Sequence, residues 1–195
     1  MPVKNKQINL SIVLAGFALV TAFIFYNIPK DQFNSILIPI IGQTDTKVGL
    51  PIRLTIPKIN VGATIEYVGV ASDGNMDVPK DPNDVAWFEL GPRPGEIGSA
   101  VIAGHYGWKN NTSAAFDAIS TLQKNDKIFV EDDTGTTIAF VVSEIRLYDP
   151  KSDASSVFES NDGKSHLNLV TCEGVWDATS KSYSKRLVVF TDKNQ

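Results

Sequence analysis

The chain has 195 residues, of which 43% are hydrophobic and 21% charged, with a formal net charge of −4. These values suit a folded protein, and with no Lys/Arg cluster to track a phosphate backbone they exclude the basic surface that nucleic-acid binding needs. A single cysteine rules out an internal disulfide and no Cys/His spacing matches a zinc site, so no metal and no cofactor is expected, and Cys172 can act only as a thiol.

The first element is apolar. No charged residue occurs from Gln7 to Pro29, and residues 8–28 make a helix of about 32 Å, enough for a hydrocarbon core of about 30 Å. The run ends Phe25-Tyr26-Asn27-Ile28-Pro29 rather than at a small-x-small cleavage site, which predicts an uncleaved transmembrane helix. Lys4 and Lys6 favour an N-terminus inside the cell, Lys30 weakens that bias, and the remainder is expected outside, on a single-pass anchor in the cell membrane. Residues 1–29 are thus a cytoplasmic tip and transmembrane anchor, and residues 30–50 a juxtamembrane linker whose apolar patch, Ile36 to Ile41, is interrupted by Pro39. Residues 51–195 remain as one domain of roughly 145 residues.

Within that domain the texture is short β-rich runs punctuated by Gly, Pro, Asn and Asp. Strands are predicted at 52–56, 64–70, 85–88, 99–104, 127–131, 136–147, 166–172 and 187–191. A helix is predicted over 112–122, where Thr112 or Ser113 can cap and Phe116, Ile119 and Leu122 fall at helical spacing. A short helical turn is expected around 154–158. Eight short strands without βαβ alternation indicate an all-β fold, a barrel or a sandwich, and eight can close a small barrel filled by side chains. The acidic run Glu131-Asp132-Asp133, followed by Thr134-Gly135, reads as a solvated hairpin turn.

Cys172 ends the apolar strand Leu167 to Cys172 and faces either the core, as free cysteines commonly do, or a cleft, as a nucleophile must. A nucleophilic thiol needs a base or cation nearby. His166 lies six residues back on the same strand, some 20 Å away at about 3.3 Å per residue, so it reads as an ordinary polar residue after a turn. His105 follows Ala100-Val101-Ile102-Ala103-Gly104 and opens a loop carrying Tyr106, Gly107 and Trp108; it is either a surface histidine in a turn or the thiol's proton carrier. Arg186 begins the last strand, just across the 173–185 loop from Cys172. Antiparallel pairing of those strands would bring the two together, while Lys185 would face the other way; the bland alternative is a solvated edge arginine.

Taken in order, Ala103-Gly104-His105, Leu169-Val170-Thr171-Cys172 and Arg186 before an apolar final strand resemble the sortase family. The similarity spans roughly residues 52–192 and includes Arg53 to Ile59, Trp87-Phe88 and Pro94 to His105. The resemblance implies an eight-stranded sortase-like β-barrel with one or two short helices, behind the N-terminal transmembrane helix. It implies a cysteine transpeptidase that cleaves a Leu-Pro-x-Thr-Gly-like sorting signal and passes the acyl group from a thioester to an amine of the cell wall or of a protein. His105, Cys172 and Arg186 take the catalytic roles, and Thr171 helps to receive the substrate or its oxyanion. The N-terminal anchor, without a C-terminal span or a pilin-type lid, is similar to housekeeping or class D/E/F-like members. Segments 148–165 and 173–185 are the expected specificity walls. Two other readings are an extracytoplasmic cysteine peptidase, although papain-like wall peptidases place cysteine before histidine, and a non-catalytic membrane-tethered binding barrel.

Overall fold

The computed structural model describes residues 48–108 and 112–194, so the expected anchor at 1–29 and nearly all of the 30–50 linker lie outside the described residues. Among the described residues no helix is long and apolar enough to cross a membrane. Eight strands form: β1 (Pro51–Ile56), β2 (Val61–Val68), β3 (Val85–Phe88), β4 (Gly98–Gly104), β5 (Lys127–Asp132), β6 (Thr137–Tyr148), β7 (Ser165–Asp177) and β8 (Ser182–Lys193). They close into a barrel in the order β1-β2-β3-β4-β7-β8-β6-β5.

Alternation explains the closure. Leu54 and Ile56 of β1, Ile128 and Val130 of β5, Phe140 and Val142 of β6, Leu167 and Leu169 of β7, and Leu187 and Val189 of β8 are all buried in one cluster. Successive side chains point to opposite faces of a strand, so every second residue enters the interior, each worth about 1.5–3 kcal/mol when fully buried. A satellite cluster of Val101, Val157 and Val188 lies apart from it, and Val157 belongs to the short helix α1 (Ser155–Phe158).

Two pairings decide where the functional end lies. β4 and β7 are parallel, with Ala103 opposite Val170, so both strands finish at the same end of the barrel. β8 runs antiparallel to β7 and therefore begins there.

The helix predicted over 112–122 does not form. The Phe116 N–H donates to the His105 carbonyl (3.1 Å) and the Ala115 N–H to the Pro82 carbonyl (2.7 Å), while the later N–H groups reach back only three residues. Backbone donors taken by neighbouring segments cannot build the i→i−4 ladder, and what remains is a 3-10 turn at Ile119–Thr121. Phe116, Ile119 and Leu122 are nevertheless buried, as their spacing requires.

The β5–β6 turn is exposed from Asp133 to Thr136 as expected, but the aspartate that opens it is not. Asp132 is 3% exposed. Its carboxylate accepts the N–H groups of Gly49 (3.1 Å), Thr134 (3.0 Å) and Thr136 (2.9 Å) and the Thr134 hydroxyl (2.6 Å). Burial pushes its pKa up, but these donors outweigh burial and leave it below the usual carboxylate value. Asp133 accepts the Leu50 N–H at 2.8 Å, so the pair fastens the start of the domain to the barrel.

Candidate active site

His105 stands one residue past the end of β4, where three contacts set its backbone. Gly104 is pressed against the buried Phe116 ring so closely that an added Cβ would lie 2.5–2.9 Å from three ring atoms, which leaves no room for any larger residue. The Phe116 N–H caps the His105 carbonyl. Two residues on, Gly107 turns at φ +65°, and its N–H donates to the Asp117 carboxylate, whose other oxygen accepts the Ala114 N–H. The imidazole itself meets Trp108 with ring centroids 4.5 Å apart and places Nε2 2.7 Å from the Pro79 carbonyl oxygen.

β7 continues past Val170, its last residue paired with β4, and pairs with β8 out to Asp177. In that extension Cys172 lies directly opposite Arg186. The thiol is half-buried; burial pushes its pKa up, and the Arg186 charge pulls in the opposite direction. The guanidinium is held by its own hairpin: Nη1 donates to the carbonyls of Tyr183 (3.2 Å) and Lys185 (3.0 Å), and Nη2 to the Ser182 hydroxyl (3.1 Å). Of the five N–H donors of an arginine, these bonds use three and leave two for an incoming oxygen.

His105, Cys172 and Arg186 line one cleft of ≈ 560 Å³. Its walls are largely aromatic: Trp176 and Tyr183 meet edge-on at 5.2 Å, and Tyr183 meets Tyr106 at 5.4 Å. Burial, the nearby thiol and its other neighbours push the Tyr183 pKa up, so its hydroxyl stays protonated as a donor.

Other residues singled out in the sequence fall elsewhere. Thr171 is 3% exposed, and its hydroxyl donates to the Gly104 carbonyl at 2.7 Å. Alternation turns it away from the Cys172 face, so it ties β7 to the root of His105 instead of presenting its hydroxyl to the cleft. His166, at the start of β7, is held between Asp192 (2.9 Å) and Asp162 (3.0 Å). Lys185 pairs with Asp149 at 3.8 Å, away from the cleft. The 173–185 segment is no loop but a paired hairpin in which Trp176 faces Tyr183, with Gly174 (φ +88°) in a register shift. Segment 148–165 contributes no residue to this cleft. Among the described residues no group of three or more His, Cys, Asp or Glu side chains is gathered to hold a metal.

Two contributors had no signature in the sequence. The Pro79 carbonyl is a backbone group, which every residue carries, and Ser182 is one serine among several in a polar stretch. Only the fold shows what they meet.

A closed β-barrel that brings a thiol, an imidazole and a guanidinium to one cleft at its strand ends has the groups that acyl transfer requires. Residues 54–194 match the sortase domain model, and the chain belongs to the sortase family. Sortases are cysteine transpeptidases acting on proteins that bear sorting signals and on amine acceptors, and they are generally anchored at the cell surface.

Solved structures share the fold. Sortase C-1 from Actinomyces oris is 22% identical with a TM-score of 0.60, covering 86% of this chain and 84% of its own. Sortase A from Corynebacterium diphtheriae, as a lid mutant, is 22% identical with a TM-score of 0.58, over 78% and 74%. The complex of Streptococcus agalactiae sortase C1 with MTSET is 23% identical with a TM-score of 0.57, over 74% and 67%. No curated protein matches the chain.

Proposed function

We propose that Cys172 is the nucleophile, His105 the proton carrier and Arg186 the oxyanion donor of a transpeptidase that cleaves a Leu-Pro-x-Thr-Gly-like signal outside the cell. The carrying observation is that all three side chains line a single cleft, with Cys172 and Arg186 opposite each other in the β7–β8 register.

The thiol passes its proton to His105, and the thiolate attacks the carbonyl carbon of the signal's threonine. The negative charge then forming on oxygen falls to the two remaining Arg186 donors and to backbone N–H groups. Collapse breaks the C–N bond, His105 returns the proton to the departing amine, and a thioester stays on Cys172. An acceptor amine gives its proton to His105, attacks the thioester and releases the thiolate; water in its place gives hydrolysis. Because the Pro79 carbonyl can only accept, Nε2 carries a hydrogen and Nδ1 is the nitrogen that exchanges protons.

In the same reading residues 1–29 hold the enzyme in the cell membrane with residues 51–195 outside, in the manner of a housekeeping or class D/E/F-like sortase. The test is mass spectrometry of the purified domain with a panel of Leu-Pro-x-Thr-Gly-like peptides and amines. The expected result is an acyl adduct on Cys172 that an amine discharges into a new peptide. Peptide cleavage that persists in Cys172→Ala, or no adduct across the panel, contradicts the reading. MTSET, which the S. agalactiae relative binds, should modify Cys172 in the folded protein; a sealed thiol would stay unmodified.

A further inference from the structure

We propose that Glu66 is a positioning residue for His105, acting through the peptide bond between Pro79 and Lys80. The proposal rests on the reading of His105 as proton carrier and asks what holds that ring.

The Lys80 N–H donates to Glu66 Oε1 at 2.9 Å, and the Pro79 carbonyl oxygen lies 2.7 Å from His105 Nε2. The Pro79 C=O and the Lys80 N–H are two ends of one planar trans unit and point in opposite directions. Fixing the N–H therefore aims the carbonyl, and the carbonyl aims the ring. Glu66 is a sound anchor because it sits on β2, paired with Ala86 of β3, rather than on a loop. The 77–80 segment is fixed at its start by the Asp77 N–H, which donates to the Gly69 carbonyl at 3.0 Å, and at its far end by Glu66; of these four residues Pro79 alone is buried, while Asp77, Val78 and Lys80 are exposed.

The peptide also transmits charge. A carboxylate at the N–H end polarises the unit and makes the carbonyl oxygen a better acceptor for a protonated imidazole. A triad aspartate does the same by direct contact with its histidine; here a peptide bond stands between them. Glu66, Pro79, Lys80, His105 and Trp108 line a second cleft of ≈ 570 Å³, so this support reaches His105 from a cavity other than the one that holds Cys172. Glu66 does not line the Cys172 cleft, and its effect should appear in turnover and not in substrate affinity.

The experiment compares the wild-type protein with Glu66→Ala, Glu66→Gln and His105→Ala, measuring kcat and KM with a sorting peptide and an amine. Loss of this one hydrogen bond predicts a kcat about tenfold lower in Glu66→Ala with KM unchanged. Glu66→Gln keeps an acceptor oxygen and should stay within about threefold of wild type. Independently of any variant, ¹⁵N NMR of the wild-type imidazole should show the Nε2–H tautomer for neutral His105. Unchanged kcat in Glu66→Ala, equal damage in Gln and Ala, or an Nδ1–H tautomer in the wild type overturns the proposal. An active His105→Ala variant instead overturns the parent reading, so the two failures are distinguishable.

Discussion

The two ends of the barrel carry similar residue types in opposite circumstances. At the start of β7, His166 has both ring nitrogens bonded to carboxylates, and on the same end Asp132 receives four donors from three residues. At the far end of β7, His105 has its Nε2 on a single carbonyl, and Cys172 and Arg186 border open space. A polar group whose bonding capacity is spent holds the fold in place. One that keeps a donor or acceptor in reserve beside a cleft can meet a substrate. The difference predicts that substitutions at the two ends separate activity from stability.

The largest effects belong to the cleft end. Cys172→Ala should form no thioester and show no turnover, and His105→Ala should lose about 10²- to 10⁴-fold in kcat/KM, both with Tm within a few degrees of wild type. If His105→Ala lowered Tm as much as a substitution at the opposite end, the separation would fail. Arg186→Ala should cost about 10²- to 10³-fold, the usual loss on removing one oxyanion donor. Arg186→Lys, which lacks the planar fork, should recover little of this; full activity would contradict the paired-donor role. The Arg186→Ala variant also loses the charge that opposes burial, so the Cys172 pKa rises further and MTSET modification at neutral pH slows.

The opposite end should respond in the other currency. Asp132→Ala should lower Tm by about 5–10 °C near pH 7 with kcat/KM unchanged, since a buried carboxylate and its four donors are undone. The folded-state pKa of Asp132 is lowered, so its stabilisation is complete above the unfolded value of about 3.9 and is lost as pH falls through the lower folded value. The Tm gap between the two proteins should therefore close in acid and persist at neutral pH. The smallest effect is that of His166→Ala, with activity within about twofold and Tm lower by about 2–4 °C. Asp162, whose carboxyl His166 holds well below the usual range, loses its main partner in that variant.

The strands were legible because pleated burial leaves a period of two, as in Leu54 and Ile56 or Ile128 and Val130. The grouping of His105, Cys172 and Arg186 was legible for a related reason: each adjoins an apolar strand end, and few pairings join those ends. Side-chain spacing failed where the backbone chose other partners. Phe116, Ile119 and Leu122 have helical spacing, yet the Phe116 N–H belongs to the His105 carbonyl. The polar 173–185 stretch looked like a loop, but ladder pairing of Trp176 with Tyr183 needs no apolar alternation. Asp132 looked solvated because nothing in its own neighbourhood reveals that Gly49 comes to it from 83 residues away. The resemblance gives Thr171 a share in receiving the substrate or its oxyanion; strand alternation beside Cys172 turns its hydroxyl to the Gly104 carbonyl, so any such share falls to its backbone.

The most direct measurement is a crystal structure of Cys172→Ala bound to a Leu-Pro-x-Thr-Gly peptide. The threonine carbonyl oxygen should lie within hydrogen-bond reach of Arg186 and the scissile nitrogen within reach of His105 Nδ1, with the carbonyl carbon facing residue 172. A scissile bond seated away from this cleft, or an imidazole and guanidinium that cannot touch the same peptide bond, would contradict the assignment.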